Sequence, residues 1–210
     1  MPPFPLKRRF QPPNKGGFMI DKRSYRLTFT EPLLGSQPMQ REIFTEFQMT
    51  KAPTAEQQLE ELESMSFEEF CAKGRTGFAK EDNKPFLWDY QVKGFLKEAG
   101  NVMKDIIGIK TLRSKIDSYV FVFPRKIFLS KPVSGVFERP IRVNTMQGPR
   151  VALVSSEVVD PGATVDIAIG MLPHKEINFM VIESLLEYGE LKGIGVWRNG
   201  SFGRFTATAV

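Results

Sequence analysis

The feature that most constrains this 210-residue chain is one amphipathic run, Phe86 to Ile107. Val92, Phe95, Leu96, Ala99, Val102, Met103 and Ile106 recur there at i, i+3, i+4 and i+7 spacing, the period of a helix with one buried face. Lys93, Lys97, Asn101 and Lys104 share one stripe on the opposite side, so the second face is cationic. Strand patterns surround this helix. Ser24–Thr30 alternates with Tyr25, Leu27 and Phe29 on one face, and β-rich segments follow at Tyr119–Phe123, Lys126–Leu129 and Gly135–Val143. Arg150–Val159 and Thr164–Ile169 flank the turn Asp160-Pro161-Gly162, a second helix spans about Lys175–Tyr188, and a last strand runs from Phe202 towards Val210. Interleaved strands and helices of this kind predict an α+β domain.

Two regions stand apart. Residues 1–23 combine five prolines and two glycines with basic side chains, the composition of a flexible arm. Residues 38–84 read as an acidic, helical excursion, with a capping box at Thr54 and Gln57 and a second helix start at Ser66. One domain over 24–210, with insertions at about 38–84 and 119–150, is the expected organisation.

Composition excludes several chemistries. With one cysteine, Cys71, and one histidine, His174, the chain has no zinc finger, no CxxC redox site and no conventional triad unless His174 carries it. No apolar stretch approaches the roughly 18 residues of a membrane span, and the expected address is cytoplasmic. Neither a cofactor nor a metal is called for. The net charge of +5 is concentrated: six of the seven charged residues in 1–24 are basic, and residues 85–150 hold twelve bases against five acids. That distribution suits a polyanionic partner bound on one side.

The glycine-rich stretch Gly193-x-Gly195-x-Trp197-Arg198-Asn199-Gly200-x-x-Gly203-Arg204 is the main candidate site. It lacks the third glycine of a dinucleotide fingerprint, and a helix precedes it where that motif needs a strand. Two readings stand. Either backbone amides, Arg198, Arg204 and a stacking Trp197 meet a nucleic acid, or the glycines serve only positive-φ turns around a core tryptophan. Arg139 and Arg142 could belong to a basic hairpin. His174 and Asp82 are the only candidates for catalysis, and both read more simply as loop residues.

Three segments, in order, resemble the RAMP superfamily, the RNA-binding proteins of CRISPR effector complexes: LTFTEPLLGSQP, PFLWDYQVKGFLKEA and GIGVWRNGSFGRF. SSEVVDPGATVDIAI is similar to a strand pair of that family. The nearest shape is the backbone subunit. The resemblance implies a ferredoxin-like, RRM-type core with a helical insertion and a β-rich inserted subdomain. It also implies RNA-backbone contacts at Gln91, Lys93, Gly193, Gly195, Arg198, Gly200 and Gly203. With Lys97, Lys104, Trp197, Arg204, Arg139 and Arg142 from the residues themselves, these would line one groove.

The family's target-cutting subunits carry an aspartate upstream of the Lys-Gly helix, where this chain has only Glu81 and Asp82 near the helix start. The expectation is therefore a non-catalytic binder of single-stranded nucleic acid, RNA favoured, that forms a homo-oligomeric filament or ring or joins a ribonucleoprotein complex. The alternatives are a single-stranded DNA-binding phage protein, a mimic of a CRISPR subunit, a RAMP-type endoribonuclease, and a structural protein without nucleic acid.

Overall fold

The computed structural model describes residues 20–39, 75–145 and 148–210. The acidic helices expected around Thr54, Gln57 and Ser66, Cys71, and residues 1–19 of the arm lie outside the described residues. In chain order the elements are β1 (Asp21–Phe29), β2 (Leu33–Leu34), β3 (Gln37–Pro38), β4 (Thr76–Gly77), β5 (Ala79–Glu81), β6 (Lys84–Trp88), α1 (Asp89–Ile107) and α2 (Leu112–Tyr119). Then come β7 (Val120–Phe123), β8 (Lys126–Phe128), β9 (Gly135–Thr145), β10 (Gly148–Val159), β11 (Thr164–Met171), α3 (Phe179–Glu187) and β12 (Phe205–Ala209).

The core sheet has the order β12-β1-β11-β7, with every pairing antiparallel. Taken with α1 and α3, these strands make a β-α-β-β-α-β unit with the fourth strand beside the first, which is the ferredoxin-like arrangement. The α+β class is as expected. In β1 the alternation works as read: Tyr25, Leu27 and Phe29 are buried and Arg26 is exposed. The buried face meets Val92, Phe95, Leu96 and Ala99 of α1 and Ile182, Leu185 and Leu186 of α3 in one core. Each valine, leucine, isoleucine or phenylalanine among them contributes about 1.5–3 kcal/mol when fully buried. The strand starts at Asp21, three residues before the alternation, because Asp21–Arg23 pair through their backbones with Met171–Ile169 while their side chains stay in solvent.

Helix α1 also starts later than its periodicity suggests. Phe86 and Leu87 are buried, but as part of strand β6, which pairs with β5 and β8; a short apolar run has no period that separates strand from helix. At the helix start the Gln91 Oε1 accepts the Trp88 N–H at 2.8 Å, and at the end Gly108 adopts φ 76° and donates its N–H to the Lys104 carbonyl. The apolar stripe is only partly used, since Val102 and Ile106 are exposed. Helix α2 was not foreseen. It packs so closely on α1 that a Cβ on Gly100 would lie 2.3 Å from the Ile116 Cδ1. Helix α3 is shorter than expected, because Asn178 caps it by accepting the Val181 N–H at 3.1 Å.

The long β9–β10 hairpin is inserted between β7 and β11. The foot of β10 pairs with β2 through Val158–Leu34 and Val159–Leu33, and with β4 through Ser156–Thr76. The Asp160-Pro161-Gly162 turn then returns the chain to the core sheet, with Gly162 at φ 77° donating to the Phe29 carbonyl at 2.7 Å. Among the described residues no helix is long and apolar enough to cross a membrane.

Candidate nucleic-acid interface

The glycine-rich segment leaves α3 through a one-turn helix, Tyr188–Glu190, and folds back on itself before β12. Its geometry explains its glycines. Gly203 has φ 70°, and a Cβ there would sit 1.9 Å from the Ile194 carbonyl oxygen. Gly193 has φ 76° and lies against the backbone of Gly203, while Gly195, at φ 93°, lies against the Leu34 carbonyl. Only glycine fits such positions. These three glycines are spent on the loop's own closure, which is the simpler of the two sequence readings. The tryptophan departs from that reading: Trp197 is 41 % exposed and stands outside the core.

The loop encloses one side of a groove of about 310 Å³, whose lining includes Ser36, Gln91, Gly94, Glu98, Gly195 and Arg198. A Cβ on Gly94 would meet nothing within 4 Å outside its own stretch of helix, so the middle of this helix face is open. Gln91 Nε2 donates to the Ser36 hydroxyl at 2.7 Å, which fixes one end. Arg198 is bound to the Glu98 carboxylate across the groove. Beside it, Trp197 and Phe202 stack at 5.3 Å and Phe137 of β9 packs on both. The Arg139 guanidinium lies 5.1 Å from the Trp197 ring centroid and donates to the Ser156 hydroxyl at 3.0 Å. Burial pushes the Arg139 guanidinium below its ordinary value. Gly200 lies against the Trp197 ring, and Arg204 has its Nε buried with no hydrogen-bond partner among the described residues.

The cationic stripe is elsewhere. Lys93 and Lys97 face α2, on the flank of α1 turned away from the loop. Lys93 Nζ donates to the carbonyls of Ile116 at 2.7 Å, Asp117 at 3.1 Å and Val120, so all three of its N–H bonds are used. Burial pushes its ammonium below the usual lysine value. Lys97 pairs with Asp117 at 2.9 Å. Lys104 is exposed in the last turn of α1, roughly 20 Å along the axis from Gln91. Arg142 is exposed on the hairpin face opposite to Arg139, as a three-residue separation in a strand requires. Gln91, Gly195 and Arg198 therefore share one groove, with Trp197, Gly200 and Arg139 at its side, and the lysines and Arg142 do not line it.

His174 packs against Tyr119 with centroids 4.6 Å apart and planes tilted by 58°, and its Nδ1 accepts the Glu176 N–H at 3.1 Å. Asp82, with φ 48°, forms with Asn83 the tight turn between β5 and β6, at the rim of a cavity of about 800 Å³. Among the described residues no three potential metal ligands cluster. Sequence reasoning missed Ser36, Glu98, Phe137 and Phe202. Only Phe137, on the inward phase of an alternating strand, left a local signal.

The fold and the groove define an α+β protein with a ferredoxin-like core, a long hairpin and a glycine-rich loop closed over its first helix. No protein-family model matches the sequence, and no curated protein does. Among solved structures the chain is similar to one from the "Cryo-EM structure of the Type III-B Cmr-beta bound to cognate target RNA", with a TM-score of 0.50 and 9 % identity. The similarity covers 90 % of this chain and 61 % of that one, so the chain spans about three fifths of its neighbour's length. At this identity the likeness is one of fold, and it supports the RAMP-like fold that the motifs imply.

Proposed function

We propose that the protein is a non-catalytic, single-stranded RNA-binding subunit of the CRISPR backbone type, which holds the phosphate backbone in the α1–loop groove and assembles along the strand. One observation carries this reading. The two motifs most similar to the RAMP superfamily, PFLWDYQVKGF and GIGVWRNGSFGRF, lie about a hundred residues apart in sequence and form the two walls of one open groove. The structural neighbour comes from a complex bound to target RNA, which agrees with that use. Gly94 leaves room for a backbone to pass, Arg198 supplies charge, and the Trp197 ring offers a face for a base. The exposed apolar side chains of the hairpin, Val136, Val151 and Leu153, are the kind of surface a subunit contact covers.

Arg198 is already paired with Glu98, so a phosphate has to compete with a carboxylate. That makes the test two-sided. In fluorescence anisotropy with a labelled RNA oligonucleotide, Arg198→Ala should weaken binding about five- to tenfold and reduce the salt slope by about one. Glu98→Gln should strengthen it about threefold by releasing the guanidinium. Gly94→Leu should abolish binding without lowering the melting temperature, because its side chain enters open space. Indifference to all three changes would sink the groove. A preference for DNA oligonucleotides would move the ligand to single-stranded DNA.

A further inference from the structure

A second concave site lies on the other flank of α1, at the edge of the core sheet. It measures about 250 Å³ and is lined by Asp89, Tyr90, Lys93 and the whole of β7, Val120–Phe123. Its rings are unusually exposed for their type: Tyr90 is 55 %, Phe121 40 % and Phe123 37 % exposed. Valines 120 and 122 fill the core from the same strand, so the outward phase had no packing need for two phenylalanines. Tyr90 is braced from behind by Trp88, stacked at 6.2 Å with planes 14° apart. Cations surround the rings. Lys93 Nζ lies 5.4 Å from the Phe121 centroid, Lys22 Nζ 4.6 Å from Phe123, and the Arg125 guanidinium 5.5 Å from Trp88. The one acid in the lining, Asp89, accepts the Tyr90 N–H on one carboxylate oxygen at 2.8 Å.

The strand itself adds recognition groups. β7 pairs only with β11 among the described residues. The Val120 carbonyl points away from β11, since it accepts the Lys93 ammonium. Alternate residues of an antiparallel edge direct both backbone groups to one side, so Val122 presents its N–H and C=O to the same open edge, a donor and an acceptor side by side. The chain also enters β1 here. Ile20 packs near Gly170 and Phe123, and the nineteen residues before it contain four bases and no acid.

We infer that this cleft binds a single unpaired nucleobase of a nucleic-acid strand, stacked against Tyr90 and the β7 phenylalanines, with its edge hydrogen-bonded by the Val122 backbone. Flat rings under a positive potential, beside a backbone donor and acceptor directed away from β11, match a base better than an aliphatic partner. The site is separate from the α1–loop groove and does not depend on it.

The test uses the full chain and a short uridine-rich RNA carrying one 2-aminopurine, whose fluorescence falls on stacking. Wild type should quench the probe. Tyr90→Leu and Phe121→Leu, which keep apolar bulk and remove the ring plane, should each weaken binding about tenfold. Together they should cut the quench at saturation to what stacking on Trp197 leaves. Tyr90 lies on an exposed helix turn outside the core, so that variant keeps the test valid should Phe121→Leu unfold the edge. Arg198→Ala should lower affinity and leave the saturating quench intact, which separates failure of the groove from failure of the cleft. An undiminished quench in Tyr90→Leu and in the double variant overturns the inference. So does a loss of self-association with unchanged oligonucleotide binding, which would make the rings a protein contact.

Discussion

The two flanks of α1 are built from similar material and have opposite fates. Towards α2 the helix offers Lys93, Lys97 and Gly100, and everything is used: three carbonyls on Lys93, Asp117 on Lys97, and the Ile116 side chain against Gly100. Towards the glycine-rich loop it offers Gln91, Gly94 and Glu98, and a groove stays open over Gly94. Against α2 the lysines are committed to the fold, and the groove over Gly94 lies on the flank that carries a carboxylate. Charge in a sequence shows which groups exist. Only the fold shows whether their hydrogen bonds are already taken.

The largest effect expected from this difference is at Lys93. Lys93→Met keeps the aliphatic stem and strips the last turn of α2 of a charged donor. Hydrogen bonds to charged groups are worth about 1.5–3 kcal/mol, so denaturant unfolding should show a loss of about 2–3 kcal/mol. The salt slope of RNA binding should change little, because an ammonium held by three backbone carbonyls beside a base does not pair with a phosphate. A fall in that slope with intact stability would show that Lys93 meets a phosphate instead of the α2 carbonyls and would erase the contrast between the flanks.

Next in size is a pair of identical substitutions six residues apart. Gly94→Ala places a methyl group in free space on an exposed helix turn and should stabilise by about 0.5–1 kcal/mol, the usual gain in helix propensity. Gly100→Ala gains the same propensity but drives a methyl into the Ile116 side chain, which is fully buried. Overpacking costs about 1–3 kcal/mol, so the net change should be a loss of about 1 kcal/mol. Opposite signs in thermal melts are the expected outcome. Equal signs would mean that α2 does not hold α1 as tightly as the 2.3 Å approach requires.

Much of the frame was legible in the chain because local rules suffice for it. The alternation of Tyr25, Leu27 and Phe29, the Val92–Phe95–Leu96–Ala99 stripe and the Asp160-Pro161-Gly162 turn each carry their conformation within a few residues. Helix α2 was hidden because only Leu112 and Ile116 of its eight residues are buried, and Thr111 precedes it at φ 55° instead of as an ordinary cap. The site was legible as a place and not as a mechanism. That Gly203 answers to the Ile194 carbonyl, or that Lys93 is consumed by carbonyls more than twenty residues away, depends on long-range closure that no spacing rule contains. Ser36 and Phe137 come to the groove from elements whose positions only the sheet order fixes.

The smallest expected effect separates a working ion pair from an incidental one on the closed flank. The hydrogen bond from Lys97, then its charge, holds the Asp117 carboxyl below the ordinary carboxylate range. A carboxyl whose folded value is depressed stabilises the fold above its unfolded value, about 3.9, and loses that contribution as pH falls through the lowered folded value. Thermal melts from pH 5 down to pH 2 should therefore fall more steeply for wild type than for Lys97→Met. The two curves should differ most at neutral pH, by a small amount since both partners are partly solvent-exposed, and converge towards pH 2, and high salt should narrow the gap. Parallel curves at every pH would mean that Lys97 is not bound to Asp117 in solution. The lysine stripe would then regain a free cation able to pair with a phosphate.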